Sequence, residues 1–320
     1  MKILAIQNRM GIGDTVIFLP YIKALSKKFN SPISLLVKEN SRAHEYLYQT
    51  KYIDNIIFLE RDKKSNKRHD GLIGIFNLVK DIKKFKFDKI IIFNSSLRFN
   101  LIARFSSIPI IYQYPLLKKN KQHIVDTPKK FMKDKFNLDV NDDPEIYVKD
   151  ELVQLSRSKY KIKKDDTCIL LGIGGSGPTK RIPAKTFLEV IEKVNKTKKC
   201  KFFLATGKNS EEQIILNEIM SSKFKDSCIP LDDLSIKETL PVIKCCRLSI
   251  CNDSSFSHLS AALGIKTITL MADTPLIYGN YSSKMFPIIP DGEKTVTHDT
   301  LGREKINPKK IYDKVFEIIN

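Results

Sequence analysis

Residues 248–270, LSICNDSSFSHLSAALGIKTITL, constrain the fold more than any other stretch of the chain. Two β-branched apolar runs, LSIC and TITL, flank a turn, Asn252-Asp253-Ser254-Ser255, and a short helix-forming segment around AALG. Strands joined by a helical crossover return to the same end of a sheet and run parallel, with both faces covered. Asp253, Ser254 and Ser255 stand at the helix start, where Asp and Ser side chains cap orphan amides. The same helix end also presents amides and positive dipole to an anion such as a phosphate. His258 follows about one turn later and can face the same ligand. Gly264 stands where a glycine closes a helix. Capping by Asp and Ser beside a packed histidine is the plainer alternative, so the segment is weighed with the rest of the chain.

The same alternation runs through most of the 320 residues. ILAI (3–6) precedes a helical stretch at 15–29, where Ile17, Tyr21, Leu25 and Phe29 recur every four residues. ISLLV (33–37) leads into 42–48, NIIFL (55–59) into 71–84, and KIIIF (89–93) into 97–105; residues 108–114 are a candidate further strand. From 118 to 164 the sequence turns charged and the pattern lapses, with Asp142-Asp143-Pro144 marking a domain boundary. A second cycle follows: CILLGIG (168–174), 184–193, KFFLAT (201–206), 211–220, 236–244, RLSIC (247–251) and TITLM (267–271). The expected fold class is α/β: two doubly wound, Rossmann-like domains, 1–150 and 151–320, facing a central cleft, with ligands at the carboxyl ends of the strands.

No apolar run reaches the roughly 20 residues that span a bilayer. The opening MKILAIQNRMGIGD reads as a first buried strand and not as a signal peptide, so a cytoplasmic location is expected. Six cysteines without a C-x-x-C pair read as small buried hydrophobes. Net charge is +19, and residues 1–150 hold 28 Lys and Arg against 16 Asp and Glu. Local clusters are Lys63-Lys64-Lys67-Arg68, Lys83-Lys84-Lys86 and Lys118-Lys119-Lys121. Such runs form solvated faces or attract an anionic partner, whether a membrane surface or an acidic glycolipid. Nucleic acid is not expected, because no binding motif accompanies the charge.

Three strand-end loops could line a site. The first, Met10-Gly11-Ile12-Gly13-Asp14-Thr15, offers Gly11 and Gly13 for close ligand approach, with Asp14 either a helix cap or a functional carboxylate. The second, residues 172–183, spells G-x-G-x-x-G with Gly172, Gly174 and Gly177. Pro178 and Pro183 delay the helix that a dinucleotide fingerprint requires, and KFFLAT ends in no acid. What remains is an amide-rich loop, with Ser176 and Thr179, followed by the adjacent cations Lys180 and Arg181, a combination suited to a diphosphate. The third loop is the turn from Asp253 to His258.

These segments resemble glycosyltransferase family 9, the ADP-heptose:lipopolysaccharide heptosyltransferases. GIGDTVIFLPYIKALSKKF is similar to the family's Gly-Asp-x5-Pro-x4-Leu entry, GIGGSGPTKRIPAKTF to its segment ending Pro-Thr-Lys-Arg-x-Pro, and the region around NDSSFSHLSAALG to its Asn-Asp-Ser-Gly-x-x-His-x-Ala-Ala stretch. INPKKIYDKVFEII fits the closing helix. The resemblance implies a GT-B architecture, with the acceptor bound by the N-terminal half and a nucleoside-diphosphate sugar by the C-terminal half. It implies that Asp14 is the catalytic base, Lys180 a donor-phosphate lysine, and Asp253, Ser254, Ser255 and His258 the diphosphate turn. Glu211 or Glu212 falls where the family places an acid near the donor ribose. Ser255 replaces the usual Gly, and Met271-Ala272-Asp273-Thr274 the more usual Phe-Gly-x-Thr.

The implied activity is inverting transfer of a sugar, heptose from ADP-heptose, to a lipopolysaccharide-core or related glycan. No cofactor and no metal are expected, since the cations and helix amides can meet the departing diphosphate and no Asp-x-Asp stands at a strand end. The expected partners are the nucleotide-sugar donor, an anionic glycolipid acceptor and an anionic inner membrane touched peripherally. A nucleotide-sugar epimerase or hydrolase would keep the phosphate loops but need a second base at the anomeric carbon. A non-catalytic sugar-binding protein at the membrane surface would need no Asp14.

Overall fold

A computed structural model describes residues 1–62, 66–116 and 123–319. It divides into two compact units, Met1–Pro144 and Glu145–Asn320. Lys63, Lys64, Lys118, Lys119 and Lys121 of the expected basic clusters lie outside the described residues.

The first unit runs β1 (Ile3–Ile6), α1 (Ile12–Phe29), β2 (Ile33–Lys38), α2 (Ala43–Tyr46), β3 (Ile53–Leu59), α3 (Ile73–Lys83), β4 (Lys89–Ile92), α4 (Leu97–Phe105), β5 (Ile110–Gln113) and α5 (Asp126–Phe136). Its five strands are all parallel, in the order β3-β2-β1-β4-β5. Leu4, Ile6, Ile90 and Ile92 from the central strands pack against Leu78, Ile82, Phe99 and Ile102 from α3 and α4. Strand residues of this kind are apolar on both faces because helices cover both.

The second unit runs α6 (Asp150–Lys159), β6 (Thr167–Gly172), α7 (Ala184–Thr197), β7 (Cys200–Ala205), α8 (Ser210–Met220), β8 (Cys228–Pro230), α9 (Ile236–Cys245), β9 (Leu248–Asn252), α10 (Ser255–Ala262), β10 (Lys266–Leu270), β11 (Met285–Ile288) and α11 (Pro308–Ile319). The sheet order is β11-β10-β9-β6-β7-β8, again parallel throughout. Phe187, Ile191, Ile311 and Val315 cover Ile169, Leu171, Phe202 and Ile250. Two doubly wound α/β units in succession are the elements of the GT-B architecture.

Strand order reverses between β1 and β4 in the first sheet and between β9 and β6 in the second. At such a point the loops leaving neighbouring strands diverge to opposite faces, opening a crevice at the carboxyl edge. In the first unit Asn94, after β4, donates to Asn8, after β1, at 3.2 Å across that point.

Several local expectations are corrected. The stretch 118–164 is not free of pattern: α5 buries Pro128, Phe131, Met132 and Phe136, and Phe131 meets Phe93 and Tyr114 edge-on at 5.6 and 4.9 Å. α6 buries no residue fully and packs against α9, so its polar sequence conceals a helix. β8 and β11 are short edge strands beyond the expected set. All six cysteines are buried thiols. Among the described residues no helix is long and apolar enough to cross a membrane.

Candidate active site

The loop after β6 and the turn after β9 leave the two strands that flank the second sheet's switch point, and their side chains meet there. Lys180 Nζ donates to Asp253 Oδ2 at 2.7 Å, joining residues 73 positions apart. Asp253 is 6% exposed. Burial alone would raise its carboxyl, but Lys180 and His258 hold it below the ordinary value. His258 Nε2 lies 3.8 Å from Asp253 Oδ1, while Nδ1 lies 2.8 Å from the Tyr281 hydroxyl and the two rings stack at 5.6 Å. The negative charge nearer Nε2 favours a proton on that nitrogen, the tautomer in which Nδ1 accepts from Tyr281.

Burial drives the His258 imidazole down to about 4, against the pull of Asp253. It is therefore neutral at pH 7. Its stabilising contribution is complete above the unfolded value of about 6.5 and is lost as pH falls from there toward 4, amounting to about 3 kcal/mol. The depressed Asp253 adds its own loss only below the ordinary carboxylate value, so the two windows separate. Urea unfolding at pH 7, 5.5 and 4 should show a steep wild-type loss that His258→Gln flattens. Equal slopes in the two proteins would assign the acid sensitivity elsewhere.

The helix start differs from the capping expectation. Ser254 is the N-cap of α10 in an extended conformation, yet neither it, Asp253 nor Ser255 makes a side-chain cap bond. Asp253 stands before the cap and Ser255 is the first helical residue. The turn is held instead by Ser257, whose hydroxyl donates to the Ser254 carbonyl at 2.7 Å. The Ser254 hydroxyl is buried without a hydrogen-bond partner among the described residues, as are Asn252 Oδ1 and Thr206 Oγ1. Beyond the helix, Gly264 adopts φ +80° and its N–H and that of Ile265 bond back to Ala261 and Ser260. That pair of bonds needs a left-handed residue, which explains the glycine.

The remaining loop residues are positioned by two glutamates that the sequence could not distinguish. Glu212 is buried, and its Oε1 accepts the Gly175 N–H at 2.6 Å. A Cβ on Gly174 would sit 2.6 Å from that carboxylate and one on Gly207 2.3 Å, so both strand ends carry glycine to admit it. Asn209 caps α8 by accepting the Glu212 N–H at 2.9 Å and donates to the Glu212 carboxylate, fixing its orientation. Glu211 points outward and pairs with Arg181 Nη1. Arg181 Nε donates to the Gly175 carbonyl at 2.9 Å, so this cation braces the loop instead of standing beside Lys180. Thr179 and Lys180 lie in a 3₁₀ turn, Pro178–Lys180, and Ser176 is exposed.

Tyr281 and Arg303 carry no motif signal, and Asn252, part of the expected turn, acts in a way its motif does not show. Asn252 is buried and donates to the carbonyls of Ile173 and Gly174 at 2.8 and 3.2 Å, tying β9 to the loop after β6. Arg303 donates to the Pro178 carbonyl at 2.9 Å, while Leu301 N–H meets Asp273 Oδ1 at 2.8 Å. The substituted Met-Ala-Asp-Thr stretch thus anchors a distal segment beside the loop, a link only three-dimensional proximity reveals.

Asp14 belongs to the first unit. α1 begins at Ile12, earlier than its apolar periodicity suggested, and Gly11 is its N-cap at φ +94°. Gly13 is already helical and Asp14 is the third helical residue, so the reading of Asp14 as the cap is corrected. An acid in the first turn is favoured by the helix dipole wherever its side chain points. Gln7 donates to the Asp14 carbonyl at 3.1 Å, bracing the turn through its backbone. Beside this loop, at the carboxyl ends of β1, β2 and β3, lies a cavity of about 780 Å³ whose lining includes the cations Lys38, Arg61 and Lys67 and the acids Glu39 and Asp62.

The profile of glycosyltransferase family 9 (heptosyltransferase) matches residues 75–289. A lipopolysaccharide heptosyltransferase 1 from Campylobacter coli is 29% identical over 150 residues, 46% of this chain and 44% of that protein, so less than half of that relative's length is matched. A glycosyl transferase family 9 structure from Veillonella parvula superposes with a TM-score of 0.80 at 19% identity, covering 99% of this chain and 96% of that one. The E. coli heptosyltransferase WaaC solved with ADP gives 0.73 at 14% identity, covering 99% and 100%. These superpositions establish the shared fold. With its profile spanning more than half of the sequence, the chain belongs to glycosyltransferase family 9, the heptosyltransferase family.

Proposed function

We propose that this protein transfers heptose from ADP-heptose, with inversion, to an anionic lipopolysaccharide-core or related glycolipid acceptor at the inner face of the cell membrane. The observation that carries the reading is the meeting of Lys180 and Asp253 beside the uncapped start of α10. An ammonium group has three donors, so Lys180 can keep Asp253 and still reach a phosphate oxygen. The helix amides and the buried Ser254 hydroxyl offer further donors to the same anion. The named relatives and neighbours, one solved with ADP, support an ADP-linked heptose as the donor.

In this mechanism Asp14 accepts the proton of the acceptor hydroxyl as its oxygen attacks the anomeric carbon. The bond from that carbon to the diphosphate breaks, and the diphosphate leaves as an anion stabilised by Lys180 and the α10 amides. Because that positive field is supplied by the protein, the step requires neither a divalent ion nor a cofactor. A single displacement inverts the anomeric centre. The strand-end cavity of the first unit, whose wall carries Lys38, Arg61 and the Lys67–Glu39 ion pair together with Asp62, offers a polar seat of both charges for a sugar acceptor. An epimerase on this scaffold would need a second base at the anomeric carbon, for which no observation speaks.

Titration calorimetry tests the donor half. ADP should bind the wild type, and Lys180→Ala should weaken it by about 1.5–3 kcal/mol, the range for a lost charged hydrogen bond. UDP and GDP report on the choice of base. Silence toward all three nucleotides would sink the donor assignment, and an unchanged ADP affinity in the variant would remove Lys180 from the site.

A further inference from the structure

The outer face of α3 changes character along its length. Gly74, Leu78, Val79 and Ile82 turn inward. Ile73, Phe76, Lys80 and Lys83 recur at helical spacing on the opposite side, with Leu72 preceding them on the same arc. Its first turn is apolar and bare: Leu72 is 78% exposed, Ile73 76% and Phe76 66%. Its last turns are cationic, and Lys80 and Lys83 pair with no carboxylate among the described residues, while Lys84 is held by Asp81 at 2.9 Å. Single exposed apolar side chains are ordinary, but three within one helical turn form a patch that calls for a partner.

The position of the patch narrows the partner. A helix that follows a parallel strand starts at the carboxyl edge of the sheet, so the bare end of α3 lies at that edge. The same edge holds the cavity lined by Lys38, Arg61 and Lys67 together with Glu39 and Asp62. Leu97, 47% exposed, opens α4 beside it, since the adjoining Arg98 donates to the carbonyls of His69 and Gly71 at 2.6 and 2.7 Å. Met10, 61% exposed, leaves the same edge after β1. A protein partner would not demand cations along the flank of the apolar turn. An anionic bilayer matches both: acyl chains for Leu72, Ile73 and Phe76, and headgroup phosphates for Lys80 and Lys83.

We infer that the exposed apolar first turn of α3, flanked by Lys80 and Lys83, is a membrane-insertion surface that docks the carboxyl edge of the first unit onto an anionic leaflet. This rests on the proposed lipid-linked acceptor for the choice of surface, and replaces a purely electrostatic attraction by shallow insertion. Insertion is insensitive to screening, whereas attraction of Lys80 and Lys83 fades with salt.

The chain contains no tryptophan, so Phe76→Trp installs a single emitter at the exposed turn. With vesicles of phosphatidylcholine and phosphatidylglycerol in roughly equal parts, its emission should move to the blue and be quenched by lipids brominated in the acyl chain. Partition should persist in part from about 0.1 M to about 1 M salt, as the screening length falls from about 10 to about 3 Å. The triple variant Leu72→Ser/Ile73→Ser/Phe76→Ser should lose the salt-resistant part, with at least about tenfold weaker partition, because burial of each side chain alone is worth that much. Lys80→Ser/Lys83→Ser should lose the salt-sensitive part. All positions are exposed, and melting curves confirm that the variants fold. Emission that stays unchanged while the protein sediments with vesicles overturns the proposal. So does a blue shift that grows with protein concentration without lipid, which would make a second copy the occupant. Calorimetry with ADP on the triple variant reads the transfer reading independently: normal nucleotide binding without Phe76→Trp insertion overturns only the docking surface, whereas insertion without nucleotide binding upholds it and sinks the donor assignment.

Discussion

Replacing Asp14 by Asn should lower turnover with ADP-heptose and the glycolipid acceptor by about 10²–10⁴-fold, the contribution of a positioned general base. The fold should survive. Asp14 is the third residue of α1 and Gly11 is its N-cap, so Asn keeps the size and shape of the side chain while giving up the attraction of a carboxylate to the helix dipole, about 0.3–1 kcal/mol. Gln7 binds the backbone carbonyl of Asp14, and that bond is untouched by the change. The donor-binding groups lie in the second unit, so ADP affinity should match the wild type and the loss should fall on kcat. Steady-state kinetics and a melting curve on the same preparation check both statements. Normal turnover would leave Asp14 without a chemical role and require another base.

The second large effect is on stability. Lys180→Ala deprives the buried Asp253 carboxylate of its ion pair, and removing one partner of a buried pair costs about 3–5 kcal/mol. Lys180 is itself 23% exposed along its side chain, which puts the expected loss near the lower end, about 3 kcal/mol. Lys180→Ala/Asp253→Asn should recover most of that loss, because the orphaned charge is gone. Urea unfolding of the two single variants and the double variant at pH 7 gives the coupling directly. Additive losses would show that the 2.7 Å contact contributes nothing, and the site would then be held by its loops alone. Donor binding should not recover in the double variant, which separates the structural part of Lys180 from its proposed meeting with phosphate.

What the amino-acid sequence determined by itself is the α/β class, the parallel sheets and the loops that matter. Runs such as ILLG (169–172) and IIIF (90–93) are apolar at every position, a pattern that only strands covered on both faces sustain. Glycine, Asp and Ser clusters after those runs mark the strand ends. Information of this kind is local, carried by residues a few positions apart. Where burial is weak the local signal fails: α6 buries no residue and falls in the charged stretch where the pattern lapses, and β8 and β11 are edge strands of three and four residues. Side-chain direction was equally beyond it. Glu211 and Glu212 are neighbours of the same chemistry, and only the fit of one carboxylate between Gly174, Gly175 and Gly207 decides which turns inward. Arg181 and Lys180 are likewise adjacent cations, yet one braces its own loop while the other crosses to Asp253. Tertiary structure decided that crossing, because the reversal of strand order between β6 and β9 sets two distant loops side by side, and pairings made across such a point depend on the sheet's topology instead of on sequence spacing.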